Sequence, residues 1–165
     1  MSEQSPPPVT ESAADTEVLE QLEEQLEEVP ADGPAVGIIM AAEADMETMS
    51  GAAKVLLDAG VDHEVEVMSA HRDLDRVASY CKSARSRGLR VIIAGAGLSA
   101  ALPGVAAAHT DLPVIGVPLS GRLSAAGGLD AILSVVQTPP GVPVAAVGLD
   151  NAKNAGALAL RILQA

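Results

Sequence analysis

The sequence predicts an α/β fold: a three-layer open parallel sheet of the flavodoxin or Rossmann kind, built from five consecutive β-α units. Three observations predict it. From residue 35 onward, short apolar runs alternate with segments of helical periodicity. Most of the runs are continuously apolar, as in strands covered on both faces. The connections between units are short, as consecutive parallel crossovers require.

The elements follow in order. Val36–Met40 is an unbroken apolar run and the first strand. Asp45 stands where it can cap a helix whose apolar face is Met46, Met49, Ala53, Leu56 and Leu57 and which Gly60 ends. Val61–Met68 alternates through Val61, Val65 and Val67, so the second strand has one polar face. Leu74–Arg87 is helical, with Val77, Tyr80, Cys81 and Ala84 inward. Val91–Ala94 is the third strand. Pro103 suits the first turn of the next helix, which runs to about His109. Val114–Val117 is the fourth strand. Leu129, Ile132, Leu133 and Val136 mark the fourth helix. Val144–Leu149 is the fifth strand, and Asn151 caps a last helix through Leu163.

The 165 residues suit one domain, residues 33–165, preceded by an acidic tail, residues 1–32. All ten Lys and Arg lie beyond residue 32, while the tail holds ten of the 22 acids. The domain therefore carries 12 acids against ten bases, and the formal charge of −12 belongs mostly to the tail. Residues 1–15, rich in Pro, Ser and Glu, are expected to be disordered. Leu19, Leu22, Leu26 and Val29 share one helical stripe, so residues 16–29 are either a solvated acidic arm or a helix docked on its own domain or a neighbouring subunit. Asp32-Gly33-Pro34 is the boundary.

Composition excludes several partners. Duplex binding needs clustered positive charge, and the domain has none to spare. Stacking on single strands needs aromatic residues, and Tyr80 is the only one. No apolar run reaches the roughly 18 residues a membrane span needs, and no basic region precedes an apolar one at the N-terminus. The single cysteine, Cys81, excludes an intrachain disulfide and fits a reducing compartment, so a cytoplasmic location is expected. Its apolar helix face marks it as a packed residue.

Ligands of open α/β sheets bind beyond the carboxyl ends of the strands. That rule selects Ala41–Asp45, Ser69–Asp73 and Gly95–Ala101, which should converge on one crevice. Of the three histidines only His71 falls in such a loop. His63 lies within a strand and His109 at a helix C-terminus. His71 either hydrogen-bonds its turn or acts as a general acid/base, and the second reading is stronger because its neighbour Arg72 offers a planar fork for an anion. Gly95-Ala96-Gly97-Leu98-Ser99-Ala100 fits a dinucleotide fingerprint, but the next strand ends in Gly116-Val117-Pro118 without the required acid. Its glycines read instead as backbone that approaches a ligand closely.

Ser69-Ala70-His71-Arg72 and Arg87-Gly88-Leu89-Arg90-Val91-Ile92-Ile93-Ala94-Gly95-Ala96-Gly97 strongly resemble the PurE family. So do Leu102-Pro103-Gly104, Leu112–Pro118, Ser134–Gln137, Gly141–Val144 and Asn154-Ala155-Gly156, so the likeness spans roughly residues 35–164. These are the carboxyaminoimidazole ribonucleotide mutases and aminoimidazole ribonucleotide carboxylases. The resemblance implies a homo-octamer with sites at subunit boundaries, and chemistry without metal or organic cofactor. It implies that His71 shuttles a proton while a carboxylate moves, as carbon dioxide, between ring nitrogen and ring carbon. It also implies that Gly95, Ala96 and Gly97 line a carboxylate pocket, and that the loops holding Ala42, Asp45, Ser69, Ala70 and Arg72 grip the ribose phosphate. Ser99 joins the substrate-binding set.

Departures from the family pattern cluster in the same loops. Where the family reads Gly-Ser-x-Ser-Asp, this chain has Ala41-Ala42-Glu43-Ala44-Asp45, without either hydroxyl. Leu98 replaces a glycine, Ala101 a second histidine, and Asp130-Ala131 an Asp-Ser pair. Proton-transfer residues are kept and phosphate hydroxyls are lost. The leading expectation is therefore PurE-like chemistry on a non-standard, even unphosphorylated, heteroaromatic acid. The alternatives are the housekeeping mutase of purine synthesis and a non-catalytic ligand-binding or scaffold homologue.

Overall fold

The computed structural model describes residues 33–165. The expectations for the acidic tail lie outside the described residues. Five strands form one sheet: β1 (Val36–Met40), β2 (His63–Val67), β3 (Val91–Gly97), β4 (Val114–Leu119) and β5 (Ala145–Ala146). All neighbours are parallel, in the order β2-β1-β3-β4-β5. Five helices cover it: α1 (Met46–Asp58), α2 (Leu74–Ser83), α3 (Ala101–Ala108), α4 (Leu129–Val136) and α5 (Ala152–Gln164). The order is that of a flavodoxin-like doubly wound sheet, with its reversal between β1 and β3.

Strand side chains alternate between two cores. Ile38, Met40, Val91, Ile93 and Ile115 pack against Met49, Ala52 and Leu56 of α1 and Ala155 and Ala159 of α5. Ile39, Ile92 and Val114 pack on the other face against Val77 and Cys81 of α2, Leu102 and Ala106 of α3, and Val135 of α4. Cys81 is buried, and burial pushes its thiol up to about 11, with the Arg87 charge opposing.

The structure corrects four details of the sequence reading. The inward face of α1 is Met49, Ala52 and Leu56, whereas Met46 and Leu57 are exposed. Packing of α5 alongside α1 turns the small residues inward: a Cβ on Gly156 would lie 2.9 Å from the Ala52 carbonyl oxygen. In α4 the buried residues are Ala131 and Val135, so the stripe Leu129, Leu133 and Val136 faces outward. Close approach to β4 explains this, because a Cβ on Gly116 would collide with Val135. The α-helix after β2 stops at Ser83, and Arg85–Arg87 form a 3-10 turn closed by Gly88 at φ 95°. The ladder of β5 lasts only two residues. Pro143 has no amide hydrogen to donate, and beyond Ala146 the chain turns through Asp150 at φ 55°.

Candidate active site

The carboxyl ends of β1, β2, β3 and β4 open into one cleft of about 630 Å³. Its walls include Ala42, Ala44 and Asp45 after β1; Ser69, His71 and Arg72 after β2; and Gly97, Leu98 and Ser99 after β3. The three loops selected from sequence do converge.

The first loop is a 3-10 turn, Glu43–Asp45, leading into α1. Asp45 occupies the N-cap position of α1, but its side chain does not cap that helix. Its Oδ2 turns back to accept the Ala42 N–H at 3.0 Å. Because the 3-10 turn precedes α1, the backbone donor within reach is that of Ala42. Burial raises the Asp45 carboxyl above its ordinary range, and the Ala42 hydrogen bond offsets part of the rise.

The second loop is tight. Ser69 O accepts the N–H groups of Arg72 at 3.2 Å and Asp73 at 2.8 Å. This turn presents His71 and Arg72 at the surface of the cleft, while Ser69 itself is buried. Arg72 Nη2 donates to Ala41 O at 3.0 Å, and Ala41 N–H donates to Gly95 O at 3.2 Å. The loops after β1 and β2 and the end of strand β3 are thus cross-linked by hydrogen bonds. His63 Nδ1 lies 3.0 Å from Val61 O, and His109 Nδ1 lies 2.8 Å from Val105 O. Neither lines the cleft.

The third region departs from expectation. Gly95-Ala96-Gly97 is not a loop: β3 continues through Gly97, paired with Val117, Pro118 and Leu119. Packing accounts for its glycines. A Cβ on Gly95 would strike Met49 Sδ, and one on Gly97 would lie 3.0 Å from Leu119 O. Of the expected set, Gly97 reaches the cleft, whereas Ala70, Gly95 and Ala96 do not line it. Ala96 is buried in the core beneath α3. Leu98 follows with φ 56°, a left-handed conformation that strains a side chain with a Cβ.

A fourth loop was missed. Ser120, Gly121, Arg122, Leu123 and Ser124, after β4, form the remaining wall. The carboxyl-end rule applies equally to β4, and Arg122, the one charged residue in 120–128, was a readable signal. Ser120 donates to Asp150 through its N–H at 2.8 Å and through its hydroxyl at 2.5 Å. Among the described residues, no group of three His, Cys, Asp or Glu could hold a metal ion.

An open doubly wound sheet with a basic and histidine-bearing cleft at its switch point defines a class of small-molecule α/β proteins. Residues 35–165 match the family described as AIR carboxylase, and the chain belongs to it. It is 57% identical over 130 residues to an N5-carboxyaminoimidazole ribonucleotide mutase of Pyrococcus abyssi, covering 79% of this chain and 74% of the relative. The mutase of the same name from Thermotoga maritima is 53% identical over 130 residues, covering 79% and 75%. A phosphoribosylaminoimidazole carboxylase of Schizosaccharomyces pombe is 53% identical over 134 residues, covering 81% of this chain and 24% of the relative. Treponema denticola PurE superposes with a TM-score of 0.68 at 30% identity, over 78% of this chain and 79% of that one. The likeness to PurE and the expected fold class therefore hold. No described helix is long and apolar enough to cross a membrane.

Proposed function

We propose that this chain moves a carboxylate between the ring-nitrogen substituent and the ring carbon of an aminoimidazole ribonucleotide. The observation that carries the proposal is His71 and Arg72 sharing one cleft with Asp45, in a chain 57% identical to a protein named for that mutase reaction. The nitrogen–carbon bond to the carboxylate breaks, and the nitrogen gains a proton. The carbon dioxide released is captured by the ring carbon, and His71 removes the proton which that carbon still carries. The net result is transfer of one proton from carbon to nitrogen. A histidine suits both halves because an imidazole nitrogen can accept a proton and give it back. Arg72 meets the substrate anion, and Ser69 and Asp45 belong to the same wall.

Relatives at 53–57% identity carry the ribonucleotide in their names, which favours the housekeeping substrate over the non-standard one expected from the altered first loop. Nothing in the cleft favours the scaffold reading. We further propose a homo-octamer, as the family resemblance implies. The test of the activity is direct conversion of the carboxylated ribonucleotide by purified protein. His71→Asn should lower turnover by about two to four orders of magnitude at unchanged melting temperature. Retention of most of the rate would remove His71 from the mechanism.

A further inference from the structure

We propose that Arg122 is a phosphate-binding residue of this cleft, in place of the hydroxyl groups that Ala42 and Ala44 lack. The proposal rests on the function above, which requires the cleft to accept a ribose phosphate.

On the β1 side, positions 42 and 44 offer only methyl groups, and the Ala42 N–H is already given to Asp45. Arg72 spends one guanidinium nitrogen on the Ala41 carbonyl. The wall after β4 is different. Ser124 Oγ accepts the Gly121 N–H at 2.9 Å, so its own hydrogen remains to be donated. Arg122 stands between these two residues and lines the cleft with His71 and Arg72.

Among the described residues Arg122 has no ion-pair partner, and Asp45 is the one carboxylate that shares its cleft. The two acids that reach its loop are engaged with the loop's own backbone. Asp150 accepts from Ser120, and Asp130 accepts from Ala125 N–H at 2.9 Å and Ala131 N–H at 2.9 Å. These bonds hold a loop whose chain then passes through Ala126, Gly127 and Gly128 at φ 47°, 69° and 103°. A guanidinium outside the described ion pairs, on a backbone braced by two carboxylates, is an anion fork carried on a held loop. Its partner is a phosphate ester: a dianion matches two arginines and a hydroxyl donor better than the single charge of a carboxylate does.

Arg122→Gln tests the assignment. With the ribonucleotide substrate, KM should rise about ten- to a hundredfold while kcat stays within about threefold. Competitive inhibition by inorganic phosphate should weaken in parallel, and Arg122→Lys should restore part of it. Binding of the unphosphorylated ribonucleoside should be unaltered. A folded Arg122→Gln protein with unchanged KM and unchanged phosphate inhibition overturns the assignment. So does equal weakening of ribonucleoside and ribonucleotide, which would make Arg122 a carboxylate ligand. Should the wild type lack turnover, inorganic phosphate is followed by thermal shift instead. Loss of that shift in Arg122→Gln supports the assignment even as the reaction fails. A wild type that neither turns over nor binds phosphate overturns both.

Discussion

Asp45 carries a charge in surroundings that disfavour it. Desolvation raises its carboxyl, and the single N–H of Ala42 only partly compensates. A raised carboxyl means that the folded state holds the proton more tightly than the unfolded chain does. The stability this contributes is complete below the unfolded value and is lost as pH rises through the folded one. At neutral pH the fold therefore bears the cost of a half-buried charge. Asp45→Asn keeps an oxygen to accept from Ala42 and removes the charge. Its melting temperature should exceed that of wild type at pH 7, and the gap should close as pH falls into the carboxylate range. Calorimetry at both pH values checks this, and a variant less stable than wild type at pH 7 would show that the charge itself is favourable there. Asp45 was legible from sequence as a helix-start residue facing the crevice. The direction of its side chain was not, because that depended on a 3-10 turn with no sequence marker beyond three ordinary residues.

At the scale of elements, strand existence was legible and strand length was not. The runs Val36–Met40 and Val91–Ala94 declare themselves by continuous apolarity. Gly95-Ala96-Gly97 reads as loop by composition, yet it is strand, paired with Val117, Pro118 and Leu119, and its glycines leave room for Met49 and the Leu119 backbone. Helix faces were misjudged where small residues face inward. Leu129, Leu133 and Val136 dominate the apolar pattern of α4, but Ala131 and Val135 are buried, Val135 in the narrow space over Gly116. The fourth cleft wall was legible only through Arg122, the one charged residue between β4 and α4. The same crowding gives a paired prediction. A Cβ on Gly156 would lie 2.9 Å from the Ala52 carbonyl oxygen and 3.0 Å from Val55 Cβ, on the backbone and rigid root of α1. Alanine at a helical position gains about 1 kcal/mol of propensity, but overpacking costs about 1–3 kcal/mol. Gly156→Ala should therefore be destabilising. A Cβ on Gly95 meets instead the flexible far end of the Met49 side chain, so Gly95→Ala should cost less. Urea denaturation of the two variants orders them, and the opposite order would show that α1 and α5 can move apart freely.

At the scale of the whole molecule, the described domain keeps much apolar surface outside. Leu57 is 70% exposed, Val136 54% and Leu133 49%. Fully burying such a side chain is worth about 1.5–3 kcal/mol, so association through these helices has a large driving force. The tail has the opposite character. Ten acids and no base lie in residues 1–32, so every added copy brings like charge to any surface that the tails share. The proposed octamer should accordingly be held by residues 33–165. Deleting residues 1–32 reduces the formal charge from −12 to −2 and leaves the apolar helix faces intact. Light scattering should give the truncated protein a mass of eight subunits, at low salt as well as at high. A monomer or dimer would show that the tail builds the assembly. An octamer for the truncated chain but a smaller species for the full chain at low ionic strength would show that tail repulsion opposes assembly, an effect that added salt should reverse.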